Sequence, residues 1–207
     1  MHLPDGILPL NQAIIYWLIG LIFFGYYFIK FRKSRDNQRL VNIAIFSAIV
    51  AVCSGISIPT PFGASIHFFL IPLAAILLGP YSGVVVTFIA LSIQALGLGM
   101  GGILALGCNV LVMGVILSFV TYYTYKLMED FFNKSVLIFL STLTGIIFAS
   151  ISQMIIIMFS GTGNFELLIL TLIPFYILVG IIEGFGNVVI IEFMEKLKPE
   201  IFDLEKI

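Results

Sequence analysis

Ala13-Ile14-Ile15-Tyr16-Trp17-Leu18-Ile19-Gly20-Leu21-Ile22-Phe23-Phe24-Gly25-Tyr26-Tyr27-Phe28-Ile29, followed at once by Lys30, Arg32, Lys33 and Arg35, decides the fold of this chain. The apolar run is long enough to cross most of a hydrocarbon layer about 30 Å thick. A cleaved signal peptide carries its positive residues before the apolar stretch and small residues at a cleavage site. Here the positive residues come after it. The run reads as a retained membrane helix whose start faces outside, since Lys and Arg collect on the cytoplasmic side. Met1 is then expected to survive as the true amino terminus.

Composition extends this reading to the whole chain. Of 207 residues, 60% are hydrophobic and only 10% charged. Soluble domains run near 45–50% apolar and about 25% charged, so an all-α integral membrane protein is expected. Ten Lys and Arg against eleven Asp and Glu leave no basic footprint for nucleic acid. Cys53 and Cys108 lie inside apolar runs. Their spacing suggests neither a disulfide framework nor a zinc site.

Further apolar runs follow in order. The second, Val41–Ile58, stops at Pro59-Thr60-Pro61, because proline forbids helix continuation. Within it Ala44 and Ala48 form a small-xxx-small pair that lets helix backbones approach in lipid. The third, His67 to about Leu78, is too short to span: its helix would cover about 18 Å. The loop Pro59–Ser65 is therefore expected to dip in from the outer surface, which is tolerated only where it is buried in protein or lines a cavity. The fourth (Tyr81–Leu98), fifth (Ile103–Tyr123), sixth (Val136–Phe159) and seventh (Leu167–Phe193) complete about seven transmembrane helices. The expected division is a terminal loop over 1–12, a seven-helix bundle over 13–193 and a cytoplasmic tail over 194–207, all one transmembrane domain. Every Lys and Arg then falls on the cytoplasmic side, with the carboxy terminus. Met1, His2, the loop before His67 and the glycine-rich stretch around Met100 share the outer side.

That placement gives meaning to the first residues, Met1-His2-Leu3-Pro4-Asp5-Gly6. A free α-amine, the Met1–His2 amide and the His2 imidazole Nδ1 can converge on one metal ion in two fused rings. Three coplanar nitrogens suit a metal that tolerates a square plane, such as Ni(II) or Cu(II). The chain has two histidines, and His67 is the candidate for the fourth corner. Pro4-Asp5-Gly6 has turn chemistry that folds the terminus back toward the protein. The competing reading is an ordinary frayed terminus.

Met1-His2-Leu3-Pro4-Asp5-Gly6, Gly63-Ala64-Ser65-Ile66-His67, Leu77-Leu78-Gly79-Pro80, Gln94-Ala95-Leu96 and Ala105-Leu106-Gly107-Cys108-Asn109 resemble the nickel/cobalt substrate-binding membrane subunits of energy-coupling-factor (ECF) transporters. The resemblance implies a metal site of Met1, His2 and His67, supported by Asp5, Gly6, Ser65 and Asn109. It implies Ni2+ or Co2+ as transported ligand and no organic cofactor. It also implies a transmembrane coupling subunit with two ATPases, with room for a small accessory membrane subunit, and a helix contact through Ala44 and Ala48. The location implied is the cell membrane. Where the family often has Gly-Thr-Ser, this chain has Gly63-Ala64-Ser65, and Met100 stands where an acidic residue is common.

Other classes are constrained by what the chain carries. No G-x-x-x-x-G-K-[ST] motif exists, so uphill transport draws on a partner's ATP hydrolysis or on an ion gradient. An enzyme is not expected, because no H-E-x-x-H pair exists and no acid or base except Asp5 accompanies the histidines. The alternative is a self-contained proton-coupled secondary transporter using Glu183, an ionisable residue well inside a span, with Gln94 and Asn109 as polar company.

Overall fold

A computed structural model of the protein describes residues 2–34, 37–56, 58–59 and 65–197. Among these, six helical segments are long and apolar enough to cross a membrane. They are α1 (Leu10–Ser34), α2 (Asn37–Gly55), Pro80–Leu98, Leu106–Met128, α7 (Lys134–Phe159) and α8 (Phe165–Leu197). The short third run supplies α3, Ile71–Leu78. A pair of two-residue antiparallel strands, β1 (Ile58–Pro59) and β2 (Ser65–Ile66), precedes it. The expected dip of the loop between them falls largely outside the described residues.

Helix boundaries are wider than hydropathy suggests. α1 starts at Leu10 and runs on to Ser34, and α8 continues to Leu197, because polar and basic residues with good helix propensity extend a helix past the apolar core. The third run errs the other way. Its helix begins at Ile71 rather than His67, leaving eight helical residues, about 12 Å. Leu70 cannot continue it backward, since its φ is +53°, in the left-handed region.

Two spans are not α-helical throughout. The fourth is α4 (Pro80–Ile93) followed by a π-helical turn, Gln94–Leu98. The fifth is α5 (Leu106–Asn109), a π-helical stretch Val110–Ile116, and α6 (Leu117–Met128). Such turns re-aim side chains and are frequent at functional sites. Gln94 opens the first and Asn109 immediately precedes the second.

All eight residues of α3 are buried. A helix apolar on every face belongs in the interior, and α3 contacts α2, α4, α6, α7 and α8. Both its ends are clamped by charged side chains from elsewhere. At the amino end, Glu183 of α8 accepts hydrogen bonds from the Phe69 and Leu70 backbone N–H groups, each 2.8 Å. At the carboxy end, Arg39 of α2 donates through Nη2 to the Leu78 carbonyl at 3.0 Å and to Ser82 Oγ at 3.1 Å. Anion at the amino end and cation at the carboxy end both complement the helix dipole.

Candidate metal site

The terminal segment lies in a seat formed by the two interrupted spans. Asn109 grips Leu3 at two points: its Oδ1 accepts from Leu3 N–H at 2.8 Å, and its Nδ2 donates to Leu3 C=O at 3.1 Å. Both groups are buried, so removing the amide side chain would strand them at about 1–3 kcal/mol each. Asp5 Oδ1 accepts from Ala105 N–H at 2.9 Å. Gly6 has φ +95°, which lets the chain turn toward α1. The seat needs glycine at 102: a Cβ there would lie 1.9 Å from Asp5 Oδ1 and 2.5 Å from Asp5 N.

These anchors bring His2 beside His67, with ring centroids 6.3 Å apart and planes at 67°. Two imidazoles on one ion, with metal–nitrogen bonds of about 2.0 Å, have centroids roughly 4.5 Å apart on adjacent corners and 6.5 Å on opposite ones. Both rings are within reach of a shared ion. The adjacent arrangement requires them to close by about 2 Å.

Hydrogen bonds decide which ring nitrogens are available. Gln94 Nε2 donates to Ala51 C=O at 3.0 Å and to Ser54 Oγ at 2.7 Å, which fixes the orientation of its amide. Its Oε1 therefore faces His2 Nε2, 2.9 Å away, and can only accept. His2 carries its proton on Nε2 and leaves Nδ1 with a free lone pair. His67 Nδ1 lies 3.2 Å from the Ser54 carbonyl, again an acceptor. His67 thus holds its proton on Nδ1 and leaves Nε2 free. Ser54 in turn donates to Val50 C=O, so the direction of each bond in the relay is set. A partner on the second ring nitrogen that fixes tautomer and orientation is characteristic of metal-binding histidines.

The surroundings keep both rings neutral. Burial, reinforced by the chain's amino group, pushes the His2 imidazole from 6.5 down to about 4, against the Gln94 hydrogen bond, which raises it. Burial, again with the amino group, also lowers His67, partly offset by the Ser54 carbonyl. Folded-state values below the unfolded one mean that docking of the terminus is fully stable above about pH 6.5 and weakens as pH falls toward 4.

The remaining residues singled out in the sequence distribute as follows. Met1 lies outside the described residues, as does the side chain of Ser65. Met100 is half-buried, and its N–H bonds to the Gln94 carbonyl. Ala44 and Ala48 are exposed on α2, each followed by an exposed isoleucine, Ile45 and Ile49. Among the described residues no group of three or more His, Cys, Asp or Glu could hold a metal. Sequence reasoning missed Ser54, whose carbonyl and hydroxyl carry no pattern at a distance. Glu183 stood out in the sequence, but its contact with the His67 loop did not.

An interrupted helical bundle with a terminal segment anchored at Leu3 and an oriented histidine pair defines a multi-pass membrane protein in which two imidazoles lie side by side. The chain belongs to the CbiM family, the cobalt uptake substrate-specific transmembrane region, which matches residues 2–201. It is 32% identical over 206 residues to a fused protein of Archaeoglobus fulgidus named for nickel transport, NikMN, covering 98% of this chain and 68% of that one. It is 31% identical to the cobalt transport protein CbiM of Thermosipho melanesiensis, covering 98% and 90%. The crystal structure of a truncated transition metal transporter superposes with a TM-score of 0.86 at 26% identity, covering 95% of this chain and 99% of that one.

Proposed function

We propose that this protein captures Ni2+ or Co2+ at the outer face of the cell membrane and passes it inward as the substrate-specific subunit of an ATP-driven ECF-type transporter. The observation that carries this reading is the oriented histidine pair, His2 Nδ1 and His67 Nε2, with each opposite nitrogen occupied by a carbonyl-type acceptor. The Met1 amine and the Met1–His2 amide complete the donor set, and Nδ1 is the ring nitrogen their chelate requires. Asn109, Asp5 and Gly102 hold the terminus so that the donors arrive together. Energy comes from a coupling subunit with two ATPases, met through the exposed Ala44–Ala48 surface of α2. The bonding of Glu183 favours this over proton coupling: both its oxygens are engaged by backbone N–H groups, which a proton carrier would have to release.

His67→Ala is expected to lower nickel affinity about 10- to 100-fold without loss of fold. Among the described residues its ring makes one hydrogen bond, to the Ser54 carbonyl, and water can take the vacated corner. An equilibrium titration giving wild-type affinity would remove His67 from the site.

Because both imidazoles are already neutral, metal binding between pH 8 and 6.5 is expected to release protons chiefly from the amine, whose usual value is about 7.7–8.0, and from the ionising amide. His2 adds its share only as pH falls through the window from 6.5 to about 4. Titrations across that range should therefore show a second, steeper loss of affinity at the acid end. A break in slope centred on about pH 6.5 rather than near 4 would mean that the rings are ordinary exposed imidazoles.

A further inference from the structure

We propose that Glu183, on the last helix, is a positioning residue for metal capture: its carboxylate sets the path of the loop that presents His67. This rests on the reading of His67 as a ligand. The side chain is buried, and both its oxygens are spent on two consecutive backbone N–H groups, Phe69 and Leu70. With Phe68 they are the three residues that separate His67 from α3.

The loop needs such a hold for a physical reason. Leu70 sits in the left-handed region at φ +53°, ψ +8°, which a residue with a Cβ adopts only under strain. Leu70 offers α3 no side-chain cap, and without Glu183 its own N–H and that of Phe69 would be stranded in an apolar interior. The Glu183 carboxylate answers both demands at once. It satisfies two donors and, as an anion at the positive end of α3, holds Leu70 in its strained shape.

With the backbone fixed at 69 and 70, and His67 Nδ1 tied to the Ser54 carbonyl, the ring has two points of reference, one on α8 and one on α2. Either alone leaves the ring free to swing about the other. At the far end of α3, Arg39 holds Leu78 and Ser82. The eight-residue helix is thus fixed at both ends, and a displacement at Glu183 has nowhere to go but into the His67 loop.

Glu183→Gln keeps shape and one acceptor but turns an NH2 group toward a backbone N–H. Expected is a fall in nickel affinity of about 10- to 100-fold, the usual range for a residue acting through a ligand. The ligand-field absorption band of the bound nickel should move toward that of His67→Ala. Apart from any loss of stability, that shift tells positioning from mere support. The decisive comparison is the double variant: if Glu183 acts through His67, Glu183→Gln adds nothing further in the His67→Ala background. Should Glu183→Gln fail to fold, Glu183→Asp keeps both oxygens and the charge but shortens the arm, and carries the same comparison. Wild-type affinity and band in the Glu183 variant, or a double variant weakened by the product of the two single effects, would overturn the proposal. Full affinity in His67→Ala alone would instead overturn the ligand reading on which it stands.

Discussion

Inserting one glycine between Met1 and His2 is expected to abolish metal uptake while leaving nickel bound. The anchors of the terminal segment all lie at or beyond His2: Gln94 on His2, Asn109 on Leu3 and Ala105 on Asp5. An insertion upstream leaves each in register and pushes only the amine outward. The terminus then offers the amine, two amides and the imidazole, which fill a square plane alone. His67 is left without a corner, so the metal no longer ties terminus to loop, and the state from which the ion is handed on does not form. Acetylating the Met1 amine should act on the earlier step. The lone pair passes into an amide, and affinity should fall by about 100-fold or more, some 2.7 kcal/mol. Titrations together with uptake by the whole transporter separate the two effects. Normal uptake in both altered forms would refute a terminal chelate.

Gly102→Ala should weaken metal binding at least as much, although the nearest neighbours of a Cβ at 102 are atoms of Asp5. The added methyl would meet Asp5 at both its carboxylate and its backbone N, the latter at 2.5 Å. A side chain could swing aside; a backbone held by neighbouring anchors cannot. The terminal segment has to leave its seat, and with it go the Asp5–Ala105, Leu3–Asn109 and His2–Gln94 bonds. These are four hydrogen bonds; at about 1 kcal/mol net each, the loss is roughly 4 kcal/mol, or about 1,000-fold in affinity. Gly97→Ala is the matched control, since its Cβ meets nothing within 4 Å and its backbone conformation suits alanine. Equal affinity in the two variants would mean that the terminus does not dock on the Gly102 loop when it binds metal.

Much of this was legible in the sequence because membrane burial writes itself as long apolar runs. The seven runs, the shortness of the third and the chelating order Met1-His2 need only local reading. The seat of the terminus does not, since it is built from side chains gripping backbone in distant segments. Gln94, Asn109 and Glu183 stand out in the sequence as polar residues in apolar spans, which marks them as engaged. What each engages leaves no periodic trace: Gln94 reaches Ala51 and His2, Asn109 reaches Leu3, Glu183 reaches Phe69 and Leu70. The π-helical turns are equally silent, because one extra residue per turn preserves hydropathy while rotating the face. The late start of α3 follows from Glu183, whose grip no local propensity can register.

The Glu183 clamp also sets an order on the making of the protein. Phe69 and Glu183 are 114 residues apart. At a synthesis rate of about 5–20 residues per second, the carboxylate emerges roughly 6–23 s after the loop it shapes. Met1, His2 and His67 are by then long exposed, but His67 has no fixed place until the last span is inserted. On the proposed reading, a nascent chain lacking that span carries Met1, His2 and His67 and still has no finished site. Competence for metal then arrives with α8.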